Sequence, residues 1–173
     1  SSGQAPSTSS GQGRLIIAGH YDTKRFREFA FVGANDAGSS TAFLIEIARV
    51  LKTRKNALPI ELLFLDGEEA VVDWNTGNDN TYGSRHYVDA ARKTGTLPHI
   101  RALVLVDMIG DKDLRISRES NSTAWLTDII WATARRLGHG DVFVNASTPI
   151  EDDHVPFLKA GVPATDIIDL DYA

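Results

Sequence analysis

The sequence predicts an α/β fold: three layers, with a mostly parallel (mixed) central sheet and helices on both faces. Short apolar runs closed by glycine or an acid recur at residues 15–19, 60–65, 102–108 and 164–168, and read as buried strands. Amphipathic stretches of helical period separate them, at 39–53, 82–93 and 123–137. Strands alternating with helices need crossovers, and right-handed crossovers gather the carboxyl ends of parallel strands on one rim.

Taken in order, residues 1–13 (SSGQAPSTSSGQG) form a polar, low-complexity arm, and 14–173 a single domain. Residues 15–19 (LIIAG) make the first strand, with His20 and Asp22 just past its end. Residues 24–33 are a charged loop and 35–38 a turn into a helix whose apolar face carries Phe43, Ile47 and Leu51 beside Leu44 and Ala48. Residues 60–65 (IELLFL) read as a strand buried on both faces, switching abruptly to Asp66-Gly67-Glu68-Glu69. A Gly/Asn/Asp loop at 73–80 precedes the helix at 82–93, and the strand at 102–108 carries Asp107 at its end. The helix at 123–137 is built on Leu126, Ile129, Ile130 and Leu137 and ends at Gly138. A short strand at 142–144, a short helix at 153–159 and a last strand at 164–168 complete the chain.

A chain of 173 residues, 42% apolar, can bury a sizeable core. Its net charge is −5 without a basic stripe, which argues against nucleic acid as a partner. With no cysteine there is no disulfide and no thiolate metal site, so any zinc must be held by His, Asp and Glu. No apolar run is long enough to span a membrane.

The rim collects His20, Asp22, Glu68, Glu69 and Asp107, with Asp36 at a helix start and Asp152, Asp153 and His154 in a later loop. Singly, each has an ordinary explanation: Asp36 as a helix cap, Asp107 as a satisfied turn carboxylate, His20 as a hydrogen-bonded histidine. Together, acids converging on one edge with no Lys or Arg run to neutralise them need a cation. Carboxylates and imidazole around an open position suit catalytic zinc.

The motifs GHYDTK (19–24), FVGANDAGSST (31–41), LLFLDGEEAVVDW (62–74), YGSRHY (82–87), LVLVDMIGD (103–111) and IEDDHVPFLKAGVPA (150–164) resemble, in order, those of the glutaminyl cyclases. That family lies within the wider group of co-catalytic zinc aminopeptidases. The DGEEA block with Trp74 carries the branch, because aminopeptidases of the group read E-E-x-G-L-x-G-S there. The resemblance implies a zinc-aminopeptidase-like fold and a zinc-dependent transferase that turns N-terminal glutamine of peptides or proteins into pyroglutamate, releasing ammonia. It implies Asp36 and Glu69 as zinc ligands and Glu68 as general acid/base. It makes Asp107 the carboxylate that holds the substrate amide nitrogen, with Asp152 hydrogen-bonded behind it, and Trp74 and Ile150 the walls of a small pocket. His20 would bind a second metal in an aminopeptidase and would stand beside the single zinc in a cyclase without binding it. An extracytoplasmic place of work is expected by analogy alone; the oligomeric state is left open.

The sequence departs from the family in two places. Residues 1–13 do not resemble the helix and strand that precede the first matched strand, and the family's third zinc ligand, a His in a W-H-T-x-x-D segment, lies beyond the last matched strand and is not in this sequence. One zinc per chain is therefore expected of the intact protein, and weak or no zinc binding of the 173 residues alone. His154 is the nearest histidine, but its family counterpart does not bind zinc. Besides the cyclase, a zinc aminopeptidase with Glu68 activating water and a non-catalytic binding domain of the same fold remain as alternatives.

Overall fold

The computed structural model describes residues 13–171; the polar arm expected at residues 1–13 lies, apart from Gly13, outside the described residues. The strands are β1 (Arg14–His20), β2 (Ile60–Leu65), β3 (Ile100–Asp107), β4 (Ile116–Glu119), β5 (Phe143–Thr148) and β6 (Ala164–Ile168). The helices are α1 (Gly38–Leu51), α2 (Tyr82–Lys93), α3 (Ala124–Arg136) and α4 (His154–Lys159). The main sheet runs in the order β2-β1-β3-β6, and a second, two-stranded sheet pairs β4 with β5. Every pairing among the described residues is parallel.

Residues alternate between the two faces, as a pleated strand requires. Ile16, Ala18, Leu103, Leu105 and Ala164 point to one face and pack with Val88 and Ala91 of α2 and Phe157 of α4. Ile17, Val104, Val106 and Ile167 point to the other, towards Phe43 of α1 and Ile130 and Trp131 of α3. The three-layer prediction therefore holds.

Several details differ from the sequence reading. β2 is the edge of the described sheet, so Phe64 is 41% exposed and the strand is not buried on both faces. The polar edge is tied down by Glu61, which meets Arg14 and accepts a 2.7 Å hydrogen bond from the Tyr87 hydroxyl. In α3, Ile129 and Leu137 are exposed; Leu126, Thr127, Trp131 and Ala134 form the buried face. Trp131 takes that place because its indole N–H reaches the Val144 carbonyl at 2.8 Å while its ring packs edge-on against Phe143. β4 is absent from the sequence reading: ISRE has a single apolar residue, and it becomes a strand only by lying between β5 and β6.

Parallel pairing fixes the functional edge. Ala18 stands opposite Leu105, so His20 and Asp107, two residues further along, close the same rim. The α1 amino end docks there: the Ser40 and Thr41 hydroxyls donate to the His20 carbonyl at 2.9 and 3.2 Å. Ile109 and Gly110, beyond β3, donate to the Ser39 hydroxyl and the Asn35 side-chain oxygen.

Candidate active site

The loops after β1 and β2 and the end of β3 bring the predicted acids together around His20, which is fully buried. Its Nε2 lies 3.0 Å from Asp36 Oδ1 and 3.1 Å from Asp107 Oδ1. Its Nδ1 lies 3.5 Å from Asp22 and 3.9 Å from Glu68, and has no hydrogen-bond partner among the described residues. Burial alone would strip the proton from this imidazole; the surrounding carboxylates of Asp107, Asp22 and Asp36 outweigh burial and raise its pKa far above the usual histidine range.

The Glu68–Glu69 turn is held from three sides. Gly67 sits at φ +67°, a conformation that favours glycine, and an added Cβ would come within 3.2 Å of Tyr82. The first N–H groups of α2 supply the second hold: Thr81, Tyr82 and Gly83 donate to the carbonyls of Glu68, Gly67 and Asp66 at 2.9, 2.7 and 2.9 Å. The third is Asp22, whose two carboxylate oxygens accept the Glu68 and Glu69 N–H groups at 3.1 and 3.2 Å. Burial pushes the Asp22 carboxyl up, but His20 and those two bonds bring it below its ordinary pKa.

Glu68 is 5% exposed. Burial, then the negative charge of Asp152, push its carboxyl up to about 11 in the absence of any cation. Glu69 is raised as well, by burial and then by the negative charge of Asp36. No Lys or Arg run neutralises the acids, but one lysine does reach in: Lys24 Nζ lies 3.8 Å from Glu69 and donates to the Ala70 carbonyl at 2.5 Å.

Asp107 accepts a 2.8 Å hydrogen bond from the Met108 N–H, and Met108 takes a left-handed φ of 48° to give it. Asp152 is buried behind the rim, raised by burial and by the charges of Asp166 and Asp107. Asp153 donates its N–H to Asp152 and accepts the Ser84 hydroxyl, each at 2.5 Å.

His20, Asp36 and Asp107 each offer one ligand atom, all within 4.8 Å of one another, the arrangement a divalent cation needs. Among the described residues Glu69 is not part of that group. Trp74, itself half-buried, opens the short 3-10 turn Trp74–Thr76. Ile150 is half-buried on the loop before α4 and lines an open hollow with Asn121, Pro149 and Val155.

His154 is a buried structural group, its Nε2 3.0 Å from Glu119. Glu119 and Asp166 are two functional-looking acids that the sequence reading misses. Asp166 is a fully buried acid in an apolar strand, ATDII, and that pattern is the available signal. Glu119 is harder to find, because Ile150 and His154, the partners that tie it to the later loop, lie 31 and 35 residues away. Burial would raise its carboxyl, but hydrogen bonds from His154, Asn121, Ile150 and Ser122 bring it down to about 2.

An imidazole set among carboxylates on the carboxyl rim of a parallel sheet defines a protein of the zinc-exopeptidase-like α/β class. The chain belongs to peptidase family M28, whose model matches residues 3–173. It is 32% identical over 179 residues to the glutaminyl-peptide cyclotransferase of Drosophila melanogaster, covering 89% of this sequence and 50% of that protein. An Acidobacteriales bacterium glutaminyl cyclase is 47% identical with a TM-score of 0.87, over 94% of this sequence and 56% of the other. A Zn-dependent exopeptidase from Parabacteroides distasonis is 27% identical with a TM-score of 0.76, over 92% and 60%. The present sequence thus spans about half the length of the curated relatives it matches.

Proposed function

We propose that the protein to which these residues belong is a zinc-dependent glutaminyl-peptide cyclotransferase acting on peptides or proteins with N-terminal Gln. The observation that carries the reading is a buried Glu68 carboxylate, 3.9 Å from His20 on the rim and adjacent in sequence to Glu69, in a sequence similar to glutaminyl cyclases along almost its whole length.

The residues present fit a divalent cation. The carboxylates of Asp22, Asp36, Glu68 and Asp107 crowd the buried His20 imidazole, and Glu68 and Glu69 are both raised in pKa, first by burial and then by neighbouring carboxylates. In the cyclase reading Asp36 and Glu69, with one further protein ligand, would hold a single zinc. Bound there, zinc supplies Lewis-acid polarisation of a carbonyl oxygen.

The remaining work falls to the protein's own groups. The substrate's α-amine attacks the γ-carbonyl of its own glutamine; a new C–N bond closes the ring, the bond from the γ-carbon to the amide nitrogen breaks, and ammonia leaves. The attack is intramolecular, so orientation lowers the barrier without any second reactant. Glu68 takes a proton from the amine and delivers it to the leaving nitrogen. A cation on Asp36 and Glu69 would lower its pKa towards the working range. Asp107 accepts a hydrogen bond from the γ-amide nitrogen, Asp152 supports it from behind, and Trp74 and Ile150 wall the glutamine.

A zinc aminopeptidase is the second reading, favoured by the His20, Asp36 and Asp107 cluster, which suits a second metal. Two peptides differing only in a first residue of Gln or Leu separate the readings. A cyclase makes the Gln peptide lose ammonia and leaves the Leu peptide intact. Release of free Leu or free Gln refutes cyclisation in favour of aminopeptidase chemistry, and no change to either peptide favours a binding domain.

A further inference from the structure

We propose that Glu119 is a positioning residue that sets the Ile150 side of the substrate pocket; this rests on the cyclase reading, in which Ile150 is a pocket wall. Glu119 ends β4, and its carboxylate is fully enclosed. Oε1 accepts the N–H groups of Asn121 and Ile150 at 2.8 and 3.1 Å. Oε2 accepts the Ser122 hydroxyl at 2.9 Å and meets His154 Nε2 at 3.0 Å. The Asn121 side-chain amide donates to the Ile150 carbonyl at 3.2 Å. Ile150 is thus gripped at both its N–H and its carbonyl.

The geometry explains why one carboxylate does this. Residue 149 is proline and has no N–H, so Ile150 carries the first backbone donor after β5. That donor finds a charged acceptor, which gives a stronger hydrogen bond than a neutral one. The same carboxylate holds the first residue of α4 through His154. It also reaches β6 through Ser122, whose hydroxyl oxygen accepts the Asp166 N–H at 3.1 Å. Loop, helix and strand are indexed to one point, and Asp152 lies on the segment between two of the held residues, Ile150 and His154. Glu119 itself is bonded to His154, Ser122, Asn121 and Ile150 rather than to the rim acids, and has no part in proton transfer.

The test uses the full-length protein and a Gln-initiated peptide. Glu119→Gln preserves volume but replaces the charged acceptor of the Ile150 N–H by a neutral oxygen or an NH2, which weakens or breaks that hydrogen bond. KM should rise roughly tenfold while kcat changes by less than about threefold, because binding is lost and the proton shuttle is kept. Asn121→Ala, at an exposed position, removes only the hold on the Ile150 carbonyl and should raise KM in the same direction without threatening the fold. A merely structural Glu119 would act independently of Ile150. Ile150→Ala should therefore raise KM in the wild-type background and add less than about twofold in the Glu119→Gln background. Additive effects, or an unchanged KM in both Glu119→Gln and Asn121→Ala, overturn the proposal alone. An Ile150→Ala variant with normal KM, or a wild type that does not cyclise, overturns the underlying reading and the proposal with it.

Discussion

Asp22 is the sharpest place to test the site's architecture, because its side chain supports the Glu68–Glu69 turn through two hydrogen bonds. Asp22→Ala removes the acceptor of the Glu68 and Glu69 N–H groups. Hydrogen bonds to a charged group contribute about 1.5–3 kcal/mol each. Asp22 is 20% exposed, so the lower end applies, and the pair together is worth about 3 kcal/mol. For a domain of this size 1 kcal/mol moves Tm by about 2–4 °C, so Asp22→Ala should melt about 6–12 °C lower. Asp22→Asn keeps one carbonyl acceptor and should lose about half as much. The assay is thermal unfolding followed by circular dichroism, in chelator, so that displacement of a metal ligand on the turn does not contribute. An alanine variant melting within about 2 °C of wild type, or no lower than the asparagine variant, would show that the turn is held by Gly67 and the α2 amino end alone.

Other expectations follow from the same geometry. Glu68→Gln should retain metal and lose most of the turnover, since an amide cannot shuttle a proton; near-normal turnover would remove Glu68 from that role. Glu69→Gln should lose metal first, read by metal analysis of the full-length protein, where one zinc per chain is expected and two would favour the aminopeptidase. Glu119 has its folded pKa, about 2, below its ordinary value of 4.5, so the stability it gives is complete above that value and lost as pH falls towards 2. Glu119→Gln should flatten the acid limb of the stability curve between those values, and an unchanged acid limb would contradict the assignment.

The sequence alone determined the alternation of strands and helices, because apolar runs of strand length and stripes of helical period are local patterns. It also led to the expectation that His20, Glu68, Glu69 and Asp107 share one rim, with Asp36 at a helix start, because right-handed crossovers gather the carboxyl ends of parallel strands on one side. Its motifs also carried the likeness to the glutaminyl cyclases. Only the tertiary structure decided which side of α3 is buried, since Trp131 displaced Ile129 and Leu137 by finding a partner for its indole N–H on β5. Only it made a strand of ISRE, whose pairing partners come later in the sequence. It also decided how the acids are held: Asp22 under the Glu68–Glu69 turn, Lys24 on the Ala70 carbonyl beside Glu69, and Glu119 on Ile150 and His154. Each of those contacts joins residues 31 to 47 positions apart, and a hydrogen bond across such a distance is written in no local pattern; it exists only once the polypeptide has packed.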